Sequence, residues 1–314
     1  MNRLLPMFVS AFFVLLVAGF VSAQDKKILF VSGPDSHGFA AHAHGAGVKL
    51  LADRVNGDVP GLTATVLETG WPRDASVFDG AAAVIVFSNG GGGSLLARNF
   101  KAVEALVEKG VGIGVIHYAV EVPKGGAGDA LLKAIGGYFE QHWSVNPWYM
   151  AEFKEFPNHP VSRGLKPFSI NDEWYYHMRF APPSTTSTLT EILVCVPPDS
   201  TRNGADGPHS GNPTVRENKG RAECLCWVFE RDTTTGKGRG FGFTGGHDHW
   251  NWGHPMFLKT VMNAIVWVAD AEVPETGVVS PTPTFDELLR YLEEPDELTP
   301  ERRQQVQRML DSWK

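Results

Sequence analysis

Lys27-Ile28-Leu29-Phe30-Val31-Ser32 is a continuous apolar run that stops at Gly33-Pro34. A run this short, bounded by turn residues, reads as a strand buried on both faces. Working outward, residues 40–55 read as a helix, 62–68 and 82–88 as strands, 99–109 as a helix and 111–117 as a fourth strand. Strands alternating with helices predict a parallel, doubly wound α/β sheet, because right-handed crossovers place helices on both faces. From residue 136 to about 230 the alternation loosens. There the aromatic-rich stretches 148–156 and 172–180 read as antiparallel additions, with further strands at 191–196 and 224–229. Residues 239–244 form the last strand, and 255–268 a helix with Pro255 in its first turn, where the missing N–H costs nothing.

Residues 197–219 are polar and rich in Gly, Pro, Asn and Ser, the composition of a long surface loop. The main domain accordingly spans residues 25–270, and residues 271–314 are a Pro/Thr linker and a tail. The tail carries two charged helical patterns, 285–293 and 300–313, which read as solvated helices in preference to a docking element. At the other end, Met1-Asn2-Arg3, an apolar run over 4–20 and Val21-Ser22-Ala23 have the regions of a secretory signal cleaved after Ala23. The expected product is exported, periplasmic or secreted. The apolar run is short for a membrane span and contains Pro6, so no stable membrane insertion is expected.

The 314 residues are 43% hydrophobic and 20% charged, ordinary globular values. The net charge of −7 argues against nucleic acid and anionic membrane as partners and fits a neutral small molecule; self-association into a homo-oligomer is compatible with it. Three cysteines make no disulfide framework. Cys224 and Cys226 are expected on one face of one strand, as packing residues.

In an open parallel sheet, ligands bind beyond the carboxyl ends of the strands. The turns after the strands carry Ser36-His37-Gly38, Asn89 followed by Gly90-Gly91-Gly92-Gly93, His117-Tyr118, and Gly246-His247-Asp248-His249-Trp250. Three of the four hold a histidine, and the coincidence is the signal. The glycine run is neither a P-loop nor a dinucleotide fingerprint and reads as a close-approach or flexible turn. His37, His117 and His247 with Glu173 are suitable ligands for a divalent metal such as zinc, although no local spacing demands one. His247 and His249 could both enter the site. Asn171-Asp172-Glu173-Trp174-Tyr175 sets carboxylates beside aromatics, a combination that suits a sugar, with an aromatic edge strand as the equal alternative.

Five motifs in this order, over about residues 27–269, resemble the ThuA-like family: Ser36-His37-Gly38-Phe39, Gly114-Val115-Ile116-His117, Asn158-His159-Pro160-Val161 with Gly164-Leu165, Asp172-Glu173-Trp174-Tyr175, and Gly238-Arg239-Gly240 leading to Gly246-His247 and Trp252. That family is named for trehalose utilisation and belongs to the class I glutamine amidotransferase-like superfamily. The resemblance implies a flavodoxin-like, doubly wound, mostly parallel sheet with antiparallel additions. Related amidotransferases keep a cysteine nucleophile in the turn where this chain has His117, so glutaminase or cysteine peptidase chemistry is disfavoured. The loop 197–219 and the tail depart from the family pattern.

The family's association with carbohydrate metabolism, often alongside sugar oxidoreductases, implies a small-molecule carbohydrate as partner, a keto-sugar or 3-keto-glycoside. The expected chemistry is acid–base or metal-assisted enolisation and elimination. His117 and His247 are then expected to polarise the ketone, Glu173 to act as base or ligand, and His37 or His249 to protonate the leaving group. Asn89, Asp172, Tyr175 and Trp250 are the expected sugar contacts. The competing expectations are a non-catalytic carbohydrate-binding protein and a partner of a sugar oxidoreductase.

Overall fold

In the computed structural model, which describes residues 25–292 and 298–314, the opening apolar run becomes β1 (Lys26–Ser32). Ile28 and Phe30 pack on one side of the sheet and Leu29 and Val31 on the other, all fully buried, as a strand without a polar face requires. The leader expected over residues 1–23 lies outside the described residues.

The chain continues through β2 (Leu62–Leu67), β3 (Ala81–Phe87), β4 (Gly112–Ile116), β5 (Gly137–Tyr138), β6 (Trp148–Phe153), β7 (Phe168–Glu173), β8 (Arg179–Phe180), β9 (Ser187–Cys195), β10 (Glu223–Thr233) and β11 (Gly236–Phe243). Seven of these strands form one sheet in the order β2-β1-β3-β4-β11-β10-β9. The first five are mutually parallel, and β10 is antiparallel to both its neighbours. A start of 2-1-3-4 is the flavodoxin-like order, which leaves a crevice where the winding reverses between β1 and β3. The expected antiparallel additions are the hairpin β6–β7 and the small pair β5–β8.

The helices are α1 (His44–Asp58), α2 (Leu95–Arg98), α3 (Phe100–Glu108), α4 (Gly126–Ile135), α5 (Pro213–Glu217), α6 (Pro255–Val268), α7 (Phe285–Leu289) and α8 (Pro300–Ser312). Val48, Leu51 and Val55 of α1 and Val261 and Ile265 of α6 fill the core on one face of the sheet. Val103 and Leu106 of α3 and Leu131 of α4 fill it on the other. α4 escapes the sequence reading because Gly126 and Gly128 in its first turn depress helix propensity. Its approach to the sheet depends on Gly240, where a Cβ would lie 2.1 Å from the Ala134 carbonyl oxygen.

Four expectations are corrected. α1 begins at His44 and not at residue 40, because Ala40 and His42 have φ of 62° and 44°, outside the right-handed helical region. A register shift in β10 between Cys224 and Cys226 sends the two thiols to opposite faces of the sheet. The stretch 197–219 is no mere surface loop: Val215 is buried, and fully buried Arg202 donates to Glu223 at 2.9 Å and to the Arg221 carbonyl at 2.7 Å. The tail is docked. Phe285, Leu288, Leu292, Leu298, Val306 and Leu310 join the α1/α6 core, and Arg54 on α1 bonds Glu287 at 2.9 Å. No helix among the described residues is long and apolar enough to cross a membrane.

Leu310 sits against Gly253, in the turn that leads into α6. Leu310→Ala is therefore expected to destabilise the fold by about 2–4 kcal/mol, the usual cost of emptying a buried leucine site. Urea unfolding of the full chain measures this; a loss under about 0.5 kcal/mol would mean a tail that does not pack, since surface substitutions fall in that range.

Candidate functional site

Two loops at the carboxyl edge of the sheet are laced together by main chain. The His42 N–H donates to the His247 carbonyl and the His249 N–H to the Ala40 carbonyl, each at 2.9 Å, around a bridge between Ala41 and Asp248. The loop after β1 thus lies along the loop after β11, and the imidazoles of His42 and His247 meet, Nε2 to Nδ1, at 2.9 Å. His117, immediately after β4, enters from below, its Nε2 3.0 Å from His42 Nε2. Glu173, the last residue of β7, closes the group with its Oε2 at 3.0 Å from His247 Nδ1, 3.6 Å from His117 Nε2 and 3.9 Å from His42 Nε2.

These four side chains offer one donor atom each, all within 4.8 Å of one another. A tetrahedral zinc site with arms of about 2.0–2.1 Å has donor–donor edges of about 3.3 Å. Five of the six separations, 2.9–3.9 Å, straddle that edge, and all six lie within 4.8 Å. The protonation pattern fits as well. His117 Nδ1–H donates to the Thr244 carbonyl at 2.7 Å, so its Nε2 turns a lone pair inward. Ser36 Oγ holds His42 Nδ1 at 3.2 Å, and Asn146 Nδ2 donates to Glu173 Oε1 at 3.1 Å. Burial presses the His42 imidazole down to about 2, against its hydrogen bond to Glu173, so it is a neutral donor. Burial would raise the Glu173 carboxyl, but the imidazoles of His117, His247 and His42 gathered around it hold it far below the usual range, as a carboxylate. Three imidazole nitrogens and one carboxylate are a donor set that can hold a divalent metal.

His42 and His117 have φ of 44° and 52°, a left-handed backbone that costs roughly 1–3 kcal/mol at a non-glycine residue. His117 occupies the sharp strand-to-turn position expected of it. Gly90, in the glycine turn, is the close-approach glycine of that run, since a Cβ there would lie 2.1 Å from the Tyr118 carbonyl.

The structure brings together three of the four residues expected as metal ligands, His117, Glu173 and His247, and adds His42, which the sequence reading placed inside a helix. His37 is not in the donor group. It is exposed at the mouth, its ring 4.0 Å from that of His42 and 5.6 Å from that of His247, with Nδ1 bonded to Ser36 Oγ at 3.0 Å. Burial, then the neighbouring His247, lowers its pKa.

His249 does not reach the site: it is buried on the opposite side of the loop, where its Nε2 donates to the Leu288 carbonyl at 2.8 Å. Trp250 does not reach it either, because it is buried and stacked on Phe285 of the tail. Asp172 is fully buried and supports the loop, accepting from the Gly246 N–H at 2.7 Å and the Asp248 N–H at 3.4 Å, and so offers a sugar nothing. Tyr175 is also buried; its hydroxyl donates to His117 Nε2 at 3.2 Å. Asn89 accepts from Ser36 Oγ and donates to the Pro34 carbonyl at 3.1 Å, bracing the loop that carries His37.

The exposed aromatic beside the cluster is Trp148, at the start of β6. Its position opposite Glu173 in the hairpin register sets the ring 4.8 Å from that of His247, with 47% of the residue exposed. Pairing 148–156 with the strand ending at Glu173 was the signal that could have found it.

Comparison with known proteins matches the ThuA family, described as trehalose utilisation, over residues 35–268. Comparison with curated proteins finds no match. Among solved structures, a ThuA-like protein from Bacteroides uniformis is 17% identical with a TM-score of 0.53, over 83% of this chain and 98% of that one. A ThuA-like protein from Parabacteroides merdae is 16% identical with a TM-score of 0.49, over 82% and 98% of the two chains. A glutamine amidotransferase from Thermotoga maritima is 11% identical with a TM-score of 0.41, over 93% and 95%. The matched segment contains His42, His117, Glu173 and His247, and the chain belongs to the ThuA (trehalose utilisation) family.

Proposed function

We propose that the protein is a metal-assisted enzyme acting on keto-sugars, which enolises a 3-keto-glycoside at C2 and expels its C1 substituent by elimination. The observation that carries this reading is the convergence of His42, His117, His247 and Glu173 within 4.8 Å, with a solvent-facing imidazole and an exposed tryptophan on its rim. A divalent cation held by those four side chains supplies Lewis acidity toward a ketone oxygen. The chain's own groups do the rest. His37, the imidazole at the mouth that is not a donor, is positioned by Ser36 and removes the proton acidified by the ketone. Asn146 and Thr244 hold Glu173 and His117 in register. The Trp148 ring offers a face on which the C–H surface of a pyranose can lie.

Zinc is expected to bind the full chain with one site per molecule, measured by calorimetry on protein stripped with chelator. His42→Ala and His117→Ala should each weaken it by about 100-fold or more, since each removes a donor where even an outer partner is worth about 10–100-fold. Binding should also raise thermal stability, by about 2.7 kcal/mol at a hundred times the dissociation constant. Unchanged zinc affinity in both variants would reject the centre.

A catalyst should exchange the C2 hydrogen of a 3-keto-glucoside with deuterium from solvent, followed by NMR, and His37→Ala should slow that exchange by about 10²–10⁴-fold. A carbohydrate-binding protein without activity would shift the melting curve and exchange nothing. Trp148→Ala should raise KM roughly 3- to 10-fold with kcat nearly unchanged, as expected for loss of an aromatic contact of about 0.5–1.5 kcal/mol.

A further inference from the structure

Of the two residues expected to protonate the leaving group, His37 is taken up as the base and His249 faces the tail, but another imidazole stands beside the site. The stretch 197–219, which departs from the family pattern, folds back at a tight turn bridged between Gly207 and Gly211, and His209 stands at its tip. Its Nε2 lies 3.1 and 3.0 Å from the two carboxylate oxygens of Glu121, which is 1% exposed and also accepts from Gln141 Nε2 at 2.7 Å. The turn is tied to the site: the Asn146 N–H donates to the His209 carbonyl at 3.2 Å, while the Asn146 side chain holds Glu173. From His117 outward the wall is a row of rings, Tyr175 against His117 at 4.6 Å, Phe139 against Tyr175 at 5.2 Å, and His209 against Phe139 at 5.6 Å. Tyr175 and Phe139 are buried, whereas the His209 side chain keeps 34% of its surface exposed, with Nδ1 not engaged by Glu121.

We propose that His209, oriented by Glu121, is the general acid that protonates the departing C1 oxygen, an assignment that rests on the enolisation reading above. His37 and His209 then act on one sugar from two walls of the cleft, the first taking a proton and the second giving one. The step balances without a redox partner. His37 takes the C2 proton, and the C–H electron pair becomes the enolate between C2 and the C3 oxygen. As the C3 carbonyl re-forms, that pair moves into a C1–C2 double bond, the C1–O bond breaks with its electrons on oxygen, and His209 delivers its proton there. Glu121 favours the charged imidazole through its hydrogen bond, which raises the His209 pKa against the opposing effect of burial, and the Glu173 charge adds to it. The exposed edge of the ring lets His209 regain its proton from water.

The test separates the two halves of the reaction in the zinc-loaded full chain. His209→Gln keeps an N–H for Glu121, so the turn stays anchored, but offers no proton of suitable acidity. Deuterium exchange at C2 of a 1,5-anhydro-3-keto-sugar, which has no leaving group, should stay within about twofold of the parent. Cleavage of an alkyl 3-keto-glucoside should fall about 10²–10⁴-fold, the usual contribution of a general acid. Cleavage of the 4-nitrophenyl 3-keto-glucoside, whose leaving group needs no proton, should stay within about tenfold. Equal losses with both leaving groups, or no loss with the alkyl substrate, would overturn the assignment while leaving enolisation intact. If the parent protein exchanges no C2 hydrogen, the enolisation reading fails, and this assignment falls with it.

Discussion

The site depends on one buried carboxylate. Asp172, fully buried, accepts from the Gly246 main-chain N–H at 2.7 Å and so holds the loop after β11 against β7. Asp172 and Glu173 are consecutive on one strand, so their side chains take opposite directions: one fixes the loop and the other supplies a donor to the cluster. Asn251 Nδ2 adds a bond to the Asn171 carbonyl at 2.9 Å from the same loop. With that loop fixed, its pairing to the loop after β1 carries His42 to His247. The arrangement has a cost, because burial, and then the charge of Asp172, raises the neighbouring Asp248 carboxyl to about 6. A charged group is kept out of water here because the loop it organises carries a donor of the cluster.

The cluster is not self-sufficient as a set of hydrogen bonds. His117 Nδ1–H is spent on the Thr244 carbonyl, so its Nε2 presents a lone pair to His42 Nε2 at 3.0 Å, and His42 Nε2 faces His247 Nδ1 at 2.9 Å. One proton on His42 cannot satisfy both contacts well, and protonating a second imidazole is opposed by burial. A cation among the four would meet the inward lone pairs at once, which is the physical reason the group could hold a metal. Three of the four are held from behind: Ser36, Thr244 and Asn146 support His42, His117 and Glu173 through the atom that does not face the centre.

The sheet was legible because apolar runs such as 27–32 and 82–88 have no polar face and can only be central strands. Placing His117 and His247 followed from that, since both come directly after strands. His42 was not legible, for its apolar neighbours Ala40, Ala41 and Ala43 read as helix, and only the positive φ at Ala40 and His42 turns the chain out. α4 was hidden by its own glycines, which serve close packing and depress propensity at once. His249 and Trp250 were assigned to the site by proximity in sequence to His247, but a tight helical turn capped by Asp248 begins at His249 and carries both side chains to the tail. Composition made 197–219 a surface loop, yet a single buried ion pair, Arg202 with Glu223, anchors it beneath the surface and lets its tip reach Glu121.

His249 and Trp250 show what the tail is for. His247 points into the cluster, while the next residues but one and but two point away, to the Leu288 carbonyl and the face of Phe285. The loop after β11 is therefore gripped on both sides, by Asp172 toward the sheet and by α7 toward the solvent. α8 extends the grip through Leu310, packed where Gly253 leaves room. A metal donor on a loop would need such support, because displacement of one ligand atom by a few tenths of an ångström would remove it from a coordination sphere with arms of about 2.0–2.1 Å. The flavodoxin-like sheet fixes where His117 stands, and the two elements outside the five parallel strands, β7 and the tail, fix His247. The cluster thus rests both on the side chain at the strand end and on the supports around it.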